Sequence, residues 1–296
     1  MANVKELRNR IKSVTSIAQI TRAMEMVASM KLRKVQGKAL ANRPYTEEIR
    51  ALLEHLDEFV GPDASVPLFQ RRDVKTTGIL LLTSDRGLCG SYNSNVLARM
   101  HEFEDEVRAH DPQRRLKFFC YGKKGYSYLY RRSYDIERYF VEPPIDKADF
   151  TAAKNVSTAL VEAFESGVVD EVRLCYTRFV SAARFQPVLE AFLPVTTLPI
   201  GEAAKGSPKG TADYLLEPDP VTIFNRLVPR YLEIVVFDAI LQSLASEHAS
   251  RRMAMKGATD AASRMRRELR MKYNRARQEN ITKELLDIIG GANAVS

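Results

Sequence analysis

No stretch of this 296-residue sequence approaches the roughly 20 consecutive apolar residues that a membrane-spanning helix needs. The longest apolar runs are short, as at residues 79–82 and 234–237, so any membrane association is expected to be peripheral. The first ten residues alternate charge and polarity. They have neither the apolar core of a secretory signal nor the acid-poor, Ser-rich run of a transit peptide, which points to a bacterial-type cytoplasm. Cysteine is scarce: Cys89, Cys120 and Cys175 stand far apart with no CxxC pair, which argues against a zinc site or disulfide framework and for buried, reduced thiols. None of the four histidines (His55, His101, His110 and His248) stands in a motif that would activate Cys89 as a nucleophile. The spacing of His101 and His110 fits no common metal site, and both read as solvated surface residues.

What the chain does have is apolar content sufficient for a core, 45%, and 28% charged residues, the balance of a soluble globular protein of one or two domains. Its net charge of +8 is unevenly placed. Residues 1–50 hold eleven Lys and Arg against four acids, and residues 251–280 hold ten against three, so each segment carries +7 and the remainder −6. Two basic ends far apart in sequence suggest a partner with an acidic or phosphate-bearing surface. Composition alone leaves DNA open as that partner.

Both ends read as long helices. Val4, Leu7, Ile11, Val14, Ile17, Ile20, Met24 and Val27 recur at steps of three or four, a narrow stripe of coiled-coil type. The consecutive steps of three from Ile11 to Ile20 predict local overwinding. The helical pattern resumes after Pro44, where a kink is expected, and Gly61-Pro62 stops it. At about 1.5 Å per residue this segment could extend roughly 80 Å. Near the other end, Asp219 is a plausible N-cap and Pro220 a first-turn residue. The stripe there runs through Leu241, Leu244, Ala258, Ala262, Met265, Leu269, Tyr273, Ala276, Ile281, Leu285 and Ile288, ending at Gly290-Gly291. Pro229 places the uninterrupted portion at about 231–289. Small core residues favour a thin rod, and each helix is the natural partner of the other, antiparallel if the intervening chain returns to its start.

Between them, strand-like runs at 78–83, 117–121 and 172–179 alternate with helical patterns at 94–108, 123–131 and 152–166, which predicts a mainly parallel sheet with helices on its faces. The fold class is thus α/β plus coiled coil, a Rossmann-like central domain between paired helical ends. The segments are 1–60 (N-terminal stalk helix), 61–209 (central domain with a Gly/Ala/Lys/Ser linker at 201–213) and 210–296 (C-terminal stalk helix).

The most site-like stretch is residues 83–93, Thr83-Ser84-Asp85-Arg86-Gly87-Leu88-Cys89-Gly90-Ser91-Tyr92-Asn93, a Gly-bearing turn between a buried strand and a helix. Such a turn can hold a phosphate at a helix N-terminus. It lacks the Lys-Ser/Thr ending of a P-loop and the third glycine of a dinucleotide fingerprint, so a tight structural turn is the better reading. Tyr121, Tyr126, Tyr128, Tyr130, Tyr134 and Tyr139, interleaved with Lys123, Lys124, Arg131 and Arg132, suit nucleic-acid stacking and packing on a sheet equally well.

Several stretches in order resemble the gamma subunit of F-type rotary ATP synthases. They are Lys5-Glu6-Leu7-Arg8; Ile20-Thr21-Arg22-Ala23-Met24-Glu25-Met26-Val27-Ala28-Ser29; Lys31, Arg33-Lys34 and Arg43-Pro44-Tyr45; Ser84-Asp85-Arg86-Gly87-Leu88-Cys89-Gly90; Glu217-Pro218-Asp219-Pro220; Ala245-Ser246-Glu247; Met255-Lys256 with Ala258-Thr259-Asp260; Tyr273-Asn274-Arg275-Ala276-Arg277-Gln278; and Ile281-Thr282-Lys283-Glu284-Leu285. The resemblance covers essentially the whole chain, with 100–210 the most divergent part. It implies a non-catalytic central rotor stalk that binds no cofactor of its own. Such a stalk couples ion-driven rotation of a membrane ring to conformational change in catalytic beta subunits.

The implied partners are the alpha and beta subunits of the catalytic hexamer, the epsilon subunit and the c-subunit ring. Nucleic acid is not among them, and membrane contact comes only through the complex, at the cytoplasmic face of the bacterial inner membrane. Carried over by resemblance, Arg22, Met24 and Glu25 face the acidic beta lever. Arg251, Arg277, Gln278 and Thr282 contact beta near a catch, and Tyr214 and Glu217 form the foot on the c ring. Gly257 in a helical run and Ala261-Ala262, where a more polar pair is expected, depart from the pattern, and no cysteine-bearing regulatory insertion is present.

Overall fold

In a computed structural model the described residues are 4–60, 67–70, 72–195 and 220–295. The expected linker at 201–213, the stop at Gly61-Pro62 and the Asp219 cap lie outside them. The elements are α1 (Val4–Val60), β1 (Thr76–Leu82), α2 (Tyr92–His110), β2 (Arg115–Tyr121), α3 (Lys123–Tyr130), β3 (Ile136–Phe140), α4 (Phe150–Glu165), β4 (Glu171–Phe179), β5 (Phe185–Leu193) and α5 (Pro220–Val295). The chain divides into two compact units. One is Lys31–Ser250; the other consists of the residues up to Met30 together with those from Arg251 onward.

The larger unit is built on a five-stranded sheet of order β3-β2-β1-β4-β5. β1 pairs parallel with β2 and β4, β2 pairs parallel with β3, and β5 joins β4 antiparallel. Six of the seven β1 residues are buried, as a central parallel strand covered on both faces requires. Its side chains alternate between two cores. Leu80 and Leu82 enter a cluster with Leu32, Leu53, Leu160 and Ile240 from α1, α4 and α5, and Ile79 and Leu81 enter one with Val96, Met100 and Leu129 from α2 and α3.

The sequence pattern located three strands and missed two. β3 and β5 lie at the sheet edges, where most residues are only partly buried or exposed and no continuous apolar run marks the strand. Asp149 caps α4, accepting from the Ala152 amide at 2.9 Å.

Both long helices run through their prolines. Pro44 and Pro229 are exposed, so each ring points to solvent, and α5 begins at Pro220 rather than near Tyr231. Gly290 and Gly291 do not end α5, since glycine lowers helix stability without forbidding the conformation. Beside Pro229, Arg230 donates to the Tyr45 hydroxyl at 3.0 Å and to Glu233 at 2.7 Å while lying 4.3 Å over the Phe150 ring, so one cation ties α1, α4 and α5 together.

His101 is not a solvated histidine. It bridges the buried Glu104 carboxylate (3.1 Å) and the Tyr128 hydroxyl (2.7 Å), and Glu104 also accepts from Tyr134 and Arg108. Most of the tyrosines pack on or beside the sheet, while Tyr130 is exposed. Tyr126 stacks on Tyr139 at 4.1 Å and Tyr134 stands edge-on to Phe118 at 5.2 Å.

Gly122, between β2 and α3, is the least replaceable glycine. Its φ is +116°, and a Cβ there would lie 2.0 Å from the Thr83 carbonyl oxygen. Gly122→Ala is expected to destabilise the protein by on the order of 3 kcal/mol or more, read as a lower urea midpoint. A midpoint within error of the parent would show that this close approach is not required.

Candidate functional site

In the unit made of the two helical ends, Thr21 Oγ1 and Thr259 Oγ1 lie 2.7 Å apart. In an antiparallel pair the facing positions keep a constant sum, which this contact sets at 280. Eight level pairs of shielded positions obey it. On α1 they include 4, 7, 11, 14, 18, 21, 25 and 28, and on α5 they include 252, 255, 259, 262, 266, 269, 273 and 276. Each series is an unbroken heptad, and each member falls opposite a member of the other. Val4 falls level with Ala276, and from 277 to 289 every described α5 side chain is exposed. The pair is an antiparallel coiled coil from which α5 emerges alone.

This seam corrects the stripe read from the sequence. At about 100° per residue, the nine residues from Ile11 to Ile20 carry the pattern half a turn round the helix, to the opposite face. The seam instead continues through Ala18, Thr21, Glu25 and Ala28, leaving Ile17, Ile20 (59% exposed) and Val27 outside. On α5, Arg266 takes the seam position expected for Met265, which is exposed. Met26, Met30, Met253 and Met271 also face outward. Small seam residues such as Ala18, Ala28 and Ala262 alternate with larger ones such as Leu7, Met255 and Tyr273.

The outer surface is therefore both apolar and basic. Residues 1–30 and 251–296 carry sixteen Lys and Arg against seven Asp and Glu, a net +9. The ion pairs Arg10–Glu6 (2.7 Å) and Arg275–Glu279 (3.0 Å) are exposed i,i+4 contacts, which contribute little.

The expected contact residues fall into two groups. Arg22, Met24 and Glu25 occupy one turn of α1, with Arg22 exposed and the other two half-buried, and Arg251 lies level with residue 29, about one turn away. Arg277, Gln278 and Thr282 stand on the unpaired part of α5, all exposed, with Thr282 Oγ1 donating to the Gln278 carbonyl at 2.9 Å. The groups are separated by roughly 30 Å along the helix axis and form no common pocket. Tyr214 and Glu217 lie outside the described residues. The outward Ile17, Ile20 and Val27 are contact candidates that the sequence reading placed in the seam; summing the angular steps marks them as a separate face.

In the larger unit, the turn of residues 83–93 spends its polar groups on its own folding. The Ser84 amide donates to Asn93 Oδ1 (3.0 Å), and the Ser84 hydroxyl donates to the Arg86 carbonyl (2.7 Å). Asn93 Nδ2 reaches Cys89 Sγ (3.3 Å), and Asp85 accepts from the Lys123 and Ile145 amides (2.9 and 3.2 Å). Leu88 and Gly90 adopt positive φ, 62° and 57°. Burial pushes the Cys120 and Cys175 thiols up to about 12, which keeps them protonated and inert at neutral pH.

Residues 3–295 match a family model described as ATP synthase. The ATP synthase gamma chain of Chloroherpeton thalassium is 39% identical over 301 residues, covering 100% of this chain and 99% of that one. That of Moorella thermoacetica is 39% identical over 295 residues, covering 100% of both. Among solved structures, a chain of the Euglena gracilis mitochondrial ATP synthase rotor in rotational state 1 aligns with TM-score 0.64 at 18% identity, over 94% of this chain and 98% of that one. A chain from the central stalk and c-ring of the Tetrahymena thermophila enzyme aligns with TM-score 0.58 at 24% identity, over 81% and 99%. At these identities the structural likeness speaks to the fold.

The corrected seam makes opposite forecasts for neighbouring residues. Leu7→Ala is expected to destabilise the free chain by about 2–3 kcal/mol, whereas Ile20→Ser should stay within about 0.5 kcal/mol, both by thermal melting. Equal losses would restore Ile20 to the seam. Gly257 is exposed, and a Cβ there meets nothing within 4 Å. Gly257→Ala should accordingly raise stability by about 1 kcal/mol, and a lower melting temperature would contradict the open surroundings seen there.

Proposed function

Because the chain belongs to the ATP synthase gamma-chain family, we propose that it is the central rotor stalk of an F-type ATP synthase, itself non-catalytic. In this role it couples ion-driven rotation of the membrane ring to conformational change in the catalytic beta subunits. The observation that carries this reading is α5 beyond Arg277. The helix has no partner there among the described residues and exposes Ile281, Leu285, Leu286, Ile288 and Ile289 along one side. Burying such a side chain stabilises by about 1.5–3 kcal/mol, and an unpaired apolar face on a single helix calls for a partner surface against it. A ring of alternating alpha and beta subunits would supply such a surface.

A shaft that turns within a ring must make contacts that differ from one subunit to the next, so that each subunit's affinity changes in sequence. The coiled coil supplies the asymmetry: two unlike helices side by side present a different surface in each direction around the axis. In this reading Arg22, Met24 and Glu25 meet the acidic beta lever, with Arg251 nearby, and Arg277, Gln278 and Thr282 meet a beta catch. Positive surface against acidic loops would steer contact without deep burial of charge. Ile17, Ile20 and Val27 add an apolar strip beside the lever group. Tyr214 and Glu217 contribute the foot on the c ring, and the epsilon subunit completes the rotor.

The functional segments are 1–60, 61–209 and 210–296. Among the described residues no helix is long and apolar enough to cross a membrane, in keeping with a peripheral position at the cytoplasmic face of a bacterial inner membrane, reached through the complex.

Two measurements test the reading. A tagged copy expressed in its host should bring down alpha, beta, epsilon and c subunits; recovery of DNA with steep salt dependence and no such subunits would replace it with a nucleic-acid-binding role. Replacing Arg277 and Gln278 together with Ala should lower coupled ATP turnover of the assembled complex severalfold while the chain's melting temperature stays unchanged. Unaltered turnover would remove the catch role from this pair.

A further inference from the structure

In an open α/β sheet the crevice that takes ligands lies beyond the carboxyl ends of the strands, where the strand order reverses. Here that point is between β1 and β4, whose successors β2 and β5 lie on opposite sides. The crevice is filled by α5. Residues 243–250 are all buried, although they include Ser243, Ser246, Glu247, His248 and Ser250. Ser243, Ser246 and Ser250 are spaced by three and four, on one face of the helix.

Each of these serines bonds a different wall of the crevice. Ser243 Oγ lies 2.6 Å from the Tyr92 hydroxyl at the start of α2. Ser246 Oγ donates to the Thr177 carbonyl on β4 at 3.1 Å. Ser250 Oγ donates to the Cys89 carbonyl in the turn after β1 at 2.6 Å. Ala245 and Ala249 keep the same stretch thin, so the helix backbone reaches the strand ends.

Apolar packing alone resists separation but only weakly resists rotation of a helix about its own axis, because hydrophobic attraction is non-directional. Hydrogen bonds are directional, and three of them from one helix face to three separate elements fix an angle. We propose that Ser243, Ser246 and Ser250 form a rotational lock that seats α5 in the strand-end crevice and holds its angle, so that torque passes between the α/β domain and the helix without slip. The proposal rests on the rotor reading and makes these serines positioning residues.

Cys89 offers a built-in reporter. It is buried beneath the Ser250 bond, while Cys120 and Cys175 lie deep in the sheet and report global opening only. The test uses the assembled enzyme in sealed vesicles and the variant carrying Ser243→Ala, Ser246→Ala and Ser250→Ala. ATP hydrolysis, ATP-driven ion pumping and maleimide labelling during turnover are measured together. The expected result is a severalfold fall in ions pumped per ATP, near-normal hydrolysis, and labelling of Cys89 with Cys120 and Cys175 still protected.

Unchanged pumping per ATP overturns the lock, whatever happens at Cys89. Loss of pumping with Cys89 still protected overturns it as well, since the seat has not opened. Labelling of all three cysteines shows a merely structural role and also overturns it. Should vesicles with the unaltered chain hydrolyse ATP yet pump nothing, the rotor reading itself fails and takes the lock with it, an outcome distinct from any produced by the serine variant alone.

Discussion

Close approach of two helix backbones is the constraint on which the paired ends depend. Ala18, Thr21, Ala28 and Ala262 occupy the seam, and the Thr21–Thr259 contact at 2.7 Å registers it. A heptad seam takes in two positions in seven and leaves out Ile17, Ile20 and Val27, which lie round the helix from it. Leaving them in water has a cost that a monomeric rod would not bear without return, because scattered exposure is ordinary but aligned exposure marks a contact surface. The outward apolar residues follow from that choice of seam, and they share the outer surface with the excess positive charge.

The α/β unit obeys a different constraint, the satisfaction of polar groups at the ends of its parallel strands. Many proteins of this architecture place a ligand there. This chain places its own helix there, with serine hydroxyls answering the backbone carbonyls of Cys89 and Thr177. The turn of residues 83–93, which has the outline of a phosphate-binding loop, is engaged by Asn93, Asp85 and Ser250. A motif's chemistry is thus decided by what the fold leaves free: here glycine and serine at a strand end build a seat for a helix.

The sequence alone determined the existence and approximate limits of the long terminal helices, the three central strands, the buried thiols and, through ordered motif matches, the family. These are local or compositional properties: β1 carries the apolar run of residues 79–82 because it is covered on both faces, and helix periodicity survives Pro44 and Pro229. Tertiary structure alone decided the seam, because two apolar stripes compete on α1 and only the placement of α5 selects between them. It decided the edge strands as well, since β3 and β5 are defined by the neighbours they pair with and not by any run of their own. And it decided the meaning of Ser243, Ser246 and Ser250, unremarkable polar residues in a helix until the strand ends are brought against them, for a hydrogen bond's directionality exists only once both partners are placed.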